Sequence, residues 1–250
     1  MPIEHFNGID FYYESHGEGP VVTFLHGAGG NHISWWQQIP EFSQHYRCIT
    51  IDHRNFGQST DPDLEGADRY ADDLEALFER LGVERTALVA QSMGGRTAMD
   101  FAVRHPDRAW AMALCDNWGF FDWPDLLERI AASRDPAPRP GGMGTRYVTE
   151  HPGGAFLYQE LSALNGPRGP RAVSTSTVSK AEVAALTVPT LLLVGSEDPT
   201  FPPPIIRAVH DLMPGSQYVE LDGCGHSGYF EGAVEFNERV GTFLAAHRPA

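Results

Sequence analysis

Three residues far apart in the chain have the types needed for nucleophilic acyl chemistry: Ser92, Asp198 and His226. A serine hydroxyl is a weak nucleophile at neutral pH and needs a base to take its proton. An imidazole base in turn needs an acid to fix its tautomer and stabilise the imidazolium. Ser92 stands in Ala90-Gln91-Ser92-Met93-Gly94-Gly95, after the apolar run Thr86 to Ala90 and before a helical stretch that Pro106 closes. A sharp strand-to-helix turn lifts a nucleophile above a sheet and demands small neighbours. Ala90 takes the place of the first glycine in the G-x-S-x-G pattern and still meets that steric need. A serine here can also simply cap a helix, so its partners decide. Asp198 lies just past the buried run Leu191 to Val194, and His226 follows Gly223-Cys224-Gly225 in a loop free to project into a cleft. The order nucleophile, acid, base is one of the known arrangements of such a triad. Asp116, at the end of the run Ala109 to Cys115, is the alternative acid.

The elements that must hold these residues follow from hydrophobic spacing. Ile9, Phe11 and Tyr13 alternate after Asn7-Gly8, which predicts an opening β-hairpin. Val21 to Leu25, Cys48 to Ile51, Thr86 to Ala90, Ala109 to Cys115 and Thr190 to Val194 are apolar on both faces, as strands of a parallel sheet covered by helices must be. Between them Leu74, Leu77, Phe78 and Leu81 trace one helical face, with Gly82 placed for a left-handed cap. This is an α/β pattern. From residue 117 to 185 the rhythm breaks: Pro136, Pro138, Pro140, Gly141, Gly142, Gly144, Gly166-Pro167 and Gly169-Pro170 interrupt short helical pieces. The expected organisation is a core of residues 1–116 and 186–250 with a lid inserted at 117–185.

Composition narrows the partners. The 250 residues include 33 acids against 18 bases, for a net charge of −15, which a phosphate backbone would repel. No nucleic-acid partner is expected. Acids and bases balance within 117–185, so the element expected over the site adds no net repulsion toward an anion. Three cysteines, Cys48, Cys115 and Cys224, suit a reducing compartment. Without a signal-like N-terminus or a run of roughly 18 apolar residues, the expectation is a cytoplasmic protein with no membrane partner. No paired His spacing suggests a metal site. The sequence leaves the oligomeric state open.

Taken together, the motifs resemble the α/β-hydrolase family over essentially the whole chain. They are His26-Gly27-Ala28-Gly29-Gly30, Asp52 through Ser59, the serine turn, Gly195 through Asp198, and Gly225-His226. The departures are Ala90 and Asn55, where glycine is usual. The resemblance implies a mostly parallel eight-stranded sheet with helices on both faces and an inserted helical lid. It implies Ser92, Asp198 and His226 as the catalytic residues, the backbone N–H groups of Ala28 and Met93 as the oxyanion hole, and no cofactor. Trp35, Gln91, Trp118, Phe121, Trp123 and Tyr147, with Met143, Phe156 and Tyr158, are the expected substrate wall. An apolar or aromatic ester or lactone of medium size is the expected substrate. Hydrolysis of a C–C bond, as in meta-cleavage-product hydrolases, and a ligand-binding homologue that does not turn over are the other readings.

Overall fold

A computed structural model describes residues 3–133, 140–165 and 175–249. Pro136, Pro138, Gly166-Pro167 and Gly169-Pro170 lie outside these. Eight strands form one sheet in the order β1-β2-β4-β3-β5-β6-β7-β8. They are β1 (Ile3–Phe6), β2 (Ile9–His16), β3 (Val21–Leu25), β4 (Arg47–Ile51), β5 (Thr86–Gln91), β6 (Ala109–Cys115), β7 (Thr190–Gly195) and β8 (Gln217–Leu221). Pairing is antiparallel from β1 to β2 and from β2 to β4, and parallel thereafter. The hairpin turn sets both Asn7 (φ +48°) and Gly8 (φ +74°) in the left-handed region, which suits an Asn-Gly pair.

Alternation along the central strands divides the interior into two cores. Val22, Phe24, Ala87, Val89, Ala113, Leu191 and Leu193 face the C-terminal helix Ala233–His247 through Phe236, Val240, Phe243 and Leu244. Leu88, Ala90, Met112, Leu114, Leu192 and Val194 face the other way, toward helices Tyr70–Leu81, Gly94–Arg104 and Pro203–Leu212. Gly82 closes the first of these at φ +62°. Because β4 and β5 flank β3 on opposite sides, the strand order reverses between β3 and β5. Parallel sheets form their clefts at the carboxyl ends of such strands, and the loops after β3, β5, β7 and β8 carry the motifs described above.

The chain between β6 and β7 forms helices Pro124–Ser133, Thr145–Glu150, Pro152–Ala163 and Lys180–Ala184. It is anchored on both cores: Leu126 and Ile130 join one, Met143 and Ala155 the other.

Candidate active site

Strand β5 stops at Gln91 and the next helix starts at Gly94, so the chain must reverse within two residues. Ser92 takes a φ of +45° to do so. A left-handed conformation of this kind costs a non-glycine residue about 1–3 kcal/mol and persists only where its surroundings impose it. Those surroundings also account for the glycines: a Cβ on Gly94 would lie 2.2 Å from the carbonyl oxygen of Leu25, and one on Gly95 2.0 Å from Oδ1 of Asn117.

The Oγ of Ser92 lies 2.8 Å from Nε2 of His226, and Nδ1 of His226 lies 2.9 Å from Oδ2 of Asp198. With Asp198 accepting from Nδ1–H, Nε2 is left to accept the serine proton. The other oxygen of Asp198 accepts the N–H groups of Thr200 at 2.7 Å and Phe201 at 3.1 Å, which fixes the carboxylate. Burial alone favours a neutral His226. The charge and hydrogen bond of Asp198, with the charges of Asp116 and Glu231, outweigh it and raise the imidazole above its ordinary pKa.

Asp116 makes other contacts. At φ +50° it is fully buried; Oδ1 accepts the N–H of Gly195 at 2.8 Å and Oδ2 that of Gly228 at 3.0 Å. The carboxylate brought to the imidazole is therefore that of Asp198, while Asp116 ties the end of β7 to the loop after His226. Burial first, and then repulsion from Asp198, push the Asp116 carboxyl up to about 7.

Ala28 borders the same cavity as Ser92, and Met93 forms the cap of helix Gly94–Arg104. The loop carrying Ala28 is braced from below. Nδ1 of His26 lies 2.8 Å from the carbonyl of Gly27, and Nε2 of His26 accepts the backbone N–H of His53 at 3.0 Å. Burial, with His26 beside it, holds the His53 imidazole well below its ordinary pKa. Asn55 stands at φ +64°, a value asparagine tolerates better than most side chains. Cys224 is a buried thiol that burial pushes up to about 12, so it is a poor second nucleophile.

The cavity beside Ser92 has a volume of about 290 Å³ and is lined by Ala28, Gly29, Gln91, Ser92, Gly141, Tyr158, Gln159, Ser162 and His226. Of the expected wall, Gln91 and Tyr158 are here. The other aromatics are not, for a physical reason. Positive φ at Asp116, Gly119 and Phe120 folds the chain after β6 back into the interior. Trp118 and Phe121 then bury against each other at 5.8 Å, and Phe121 stacks on Trp123, whose other partner is the Lys180 ammonium at 4.2 Å. Trp35 is fully buried between Phe24 and Tyr229. Tyr147 packs on His151 and Phe230, Met143 is buried in the core, and Phe156 is exposed. Gly141, Gln159 and Ser162 were absent from the expected wall. Ser162 follows Tyr158 by four residues on one helix and could have been reached from it by helical spacing, with Gln159 three residues before Ser162.

Among the described residues, no group of His, Cys, Asp and Glu side chains could hold a metal ion, and no helix is long and apolar enough to cross a membrane.

Comparison with known proteins agrees with this fold. A family model described as alpha/beta hydrolase fold matches residues 20–164, and one described as TAP-like protein matches residues 168–249. Over 106 residues, 40% of this chain but only 29% of that protein, the sequence is 42% identical to Epoxide hydrolase 3 of Xenopus tropicalis. Over 261 residues, 95% of this chain and 91% of that protein, it is 26% identical to the 2-hydroxymuconate semialdehyde hydrolase of Pseudomonas sp. (strain CF600). The solved structure of a thermophilic esterase from Thermogutta terrifontis is similar with a TM-score of 0.81 and 25% identity, covering 99% of this chain and 97% of that one.

Proposed function

Since the chain belongs to the α/β-hydrolase fold family, we propose that it is a serine hydrolase that cleaves a carboxylic ester or lactone through an acyl-enzyme on Ser92. The observation that carries this reading is the continuous contact from Ser92 Oγ to His226 to Asp198 at the floor of a cavity. His226 Nε2 takes the hydroxyl proton as Oγ bonds to the acyl carbon, and the carbonyl electron pair moves onto oxygen. The backbone N–H groups of Ala28 and Met93 hold that oxyanion; losing one such donor typically costs roughly 3 kcal/mol of transition-state stabilisation. Collapse expels the alkoxide, which leaves with the proton from His226, and water then repeats the sequence on the acyl group. In a lactone the freed hydroxyl remains part of the acyl group, so no product departs until water breaks the ester to Ser92 and releases the hydroxy acid.

The inserted stretch 117–185 acts as the lid. Its Gly141, Tyr158, Gln159 and Ser162 supply one wall of the cavity. Because Trp35, Trp118 and Phe121 are buried in the cores and Trp123 packs against one of them, and the wall presents hydroxyl and amide groups, the substrate is compact and oxygen-bearing instead of a large aromatic.

The test is release of p-nitrophenol from p-nitrophenyl acetate by wild type and Ser92→Ala. A loss of roughly 10⁴- to 10⁶-fold in kcat is expected; equal rates would remove Ser92 from the mechanism. The likeness to the 2-hydroxymuconate semialdehyde hydrolase over 95% of the chain keeps a second reading open, cleavage of a C–C bond by the same residues. Turnover of a vinylogous diketone without turnover of esters would select it.

A further inference from the structure

Two glycine-rich segments from distant parts of the chain lie backbone against backbone beside the cavity. The N–H of His226 donates to the carbonyl of Gly142 at 2.9 Å. No side chain fits between them: a Cβ on Gly225 would lie 2.2 Å from the nitrogen of Gly144 and 2.4 Å from the oxygen of Gly142, and one on Gly142 would lie 2.8 Å from Cβ of His226. A single carboxylate closes this junction. Oε2 of Glu231 accepts the N–H groups of Gly144 and Gly225, both at 2.8 Å, and Oε1 accepts that of Ser227 at 3.1 Å. The acceptors of Glu231 thus bracket His226 on both sides and reach across to the insertion at Gly144, three residues beyond Gly141 of the cavity wall.

We propose that Glu231 is a positioning residue that locks the His226 loop and the insertion into one unit, so that placement of the base and of one cavity wall is set together. The proposal rests on reading Ser92 and His226 as the reacting pair. A carboxylate is required because three donors converge on it. Glutamine offers one acceptor oxygen, and its NH₂ would face an N–H group. A small displacement of a base from its nucleophile is enough to cost roughly 100-fold in rate.

The experiment compares wild type with Glu231→Gln. Turnover of p-nitrophenyl acetate is followed together with amide hydrogen exchange of residues 142–144 and 225–227. We expect kcat to fall by roughly 10- to 100-fold with KM changed by less than about threefold, and exchange at both segments to accelerate together. Glu231→Asp, which keeps the charge at shorter reach, serves as the second variant if the glutamine variant does not fold, and the same two changes are expected of it. Unchanged kcat, or exchange that accelerates in neither segment, would overturn the proposal. Ser92→Ala, run in parallel, separates the two questions: if it keeps wild-type turnover, the serine reading fails, while the exchange measurement still reports on the Glu231 junction.

Discussion

The side-chain amide of Gln91 donates a 2.7 Å hydrogen bond to the backbone carbonyl of His226. The residue before the serine therefore holds the backbone of the residue that is to accept the serine proton. Gln91 is itself confined, since a Cβ on Gly27 would lie 1.9 Å from its Oε1. Gln91→Leu keeps most of the volume and loses the donor. Its kcat on p-nitrophenyl acetate is expected to fall by about tenfold, which corresponds to one hydrogen bond of roughly 1.4 kcal/mol, with the circular dichroism unchanged. Wild-type kcat in this variant would show that the bond does not position His226.

Exchanging each buried carboxylate for an amide separates two roles. Asp198→Asn presents an NH₂ group to Nδ1 of His226 and favours the tautomer whose Nε2 already carries a proton; kcat is expected to drop by about 10⁴-fold. Asp116→Asn leaves that contact alone but turns an NH₂ toward the N–H of Gly195 or Gly228, so its main cost is in stability, about 1–3 kcal/mol. The reverse ranking in activity would identify Asp116 as the acid. Asp116 also carries a pH signature. Its folded-state pKa of about 7 exceeds the ordinary 3.8, so the folded state holds a proton that the unfolded state has lost between those values. Stability therefore falls as pH rises through that window. Urea unfolding at about pH 5 and about pH 8 should show this fall in wild type and a smaller one in Asp116→Asn.

Titration of the base gives a third expectation. Burial lowers the pKa of His226, but Asp198, Asp116 and Glu231 raise it by more, so the net direction is upward from 6.5. Only the neutral imidazole can accept the serine proton. The acid limb of kcat/KM is thus expected to be half-maximal above pH 6.5, and to move down when Asp116 is neutralised. A limb at or below that value would mean that desolvation dominates.

How much of this was legible in the sequence depends on the range of the interaction. Strands β5, β6 and β7 are buried on both faces, so their apolar runs announce them, and the helix Tyr70–Leu81 is marked by its stripe and by Gly82. Ser92 and Asp198 could be found because each follows such a run, and His226 because it stands in a glycine loop. The direction of Trp118 and Phe121 could not. It is set by backbone dihedrals at Asp116, Gly119 and Phe120, and an aromatic cluster looks the same whether it points into a cavity or a core. Gly142 and Gly144 read as breakers, because their reason is the backbone of Gly225, far away in the chain. Glu231 was invisible for the same reason.

A fourth expectation concerns the loop after β4. Arg54 is buried and bidentate to Asp73, at 2.6 and 2.8 Å, with Asp61 at 3.2 Å and Glu65 at 2.9 Å on Nη1. Asp73 also accepts from Asn7 of the first hairpin at 3.0 Å, so the network joins that hairpin to the loop bearing Asn55. Arg54→Met leaves Asp61 and Asp73 buried without their cation and is expected to cost roughly 3–5 kcal/mol by urea unfolding. A loss below about 1 kcal/mol would show that water replaces the guanidinium.

The cavity itself makes the last prediction. Its volume of about 290 Å³ lies at the lower end of ligand pockets, and Tyr158 restricts it further. The Tyr158 ring packs edge-on against Phe230 at 5.2 Å, its hydroxyl accepts from Ser227 at 3.1 Å, and Gly141 lies so near that a Cβ there would be 2.5 Å from the ring. A wall pinned on three sides does not yield to a long acyl chain without breaking one of these contacts. Along a series of p-nitrophenyl esters, kcat/KM is expected to be highest for acetate and butyrate and to fall by at least about tenfold by octanoate. Tyr158→Ala removes the pinned ring and should raise octanoate relative to acetate. If wild type instead prefers the longer chains, the wall moves aside on binding, and the compact-substrate reading falls while the serine reading stands.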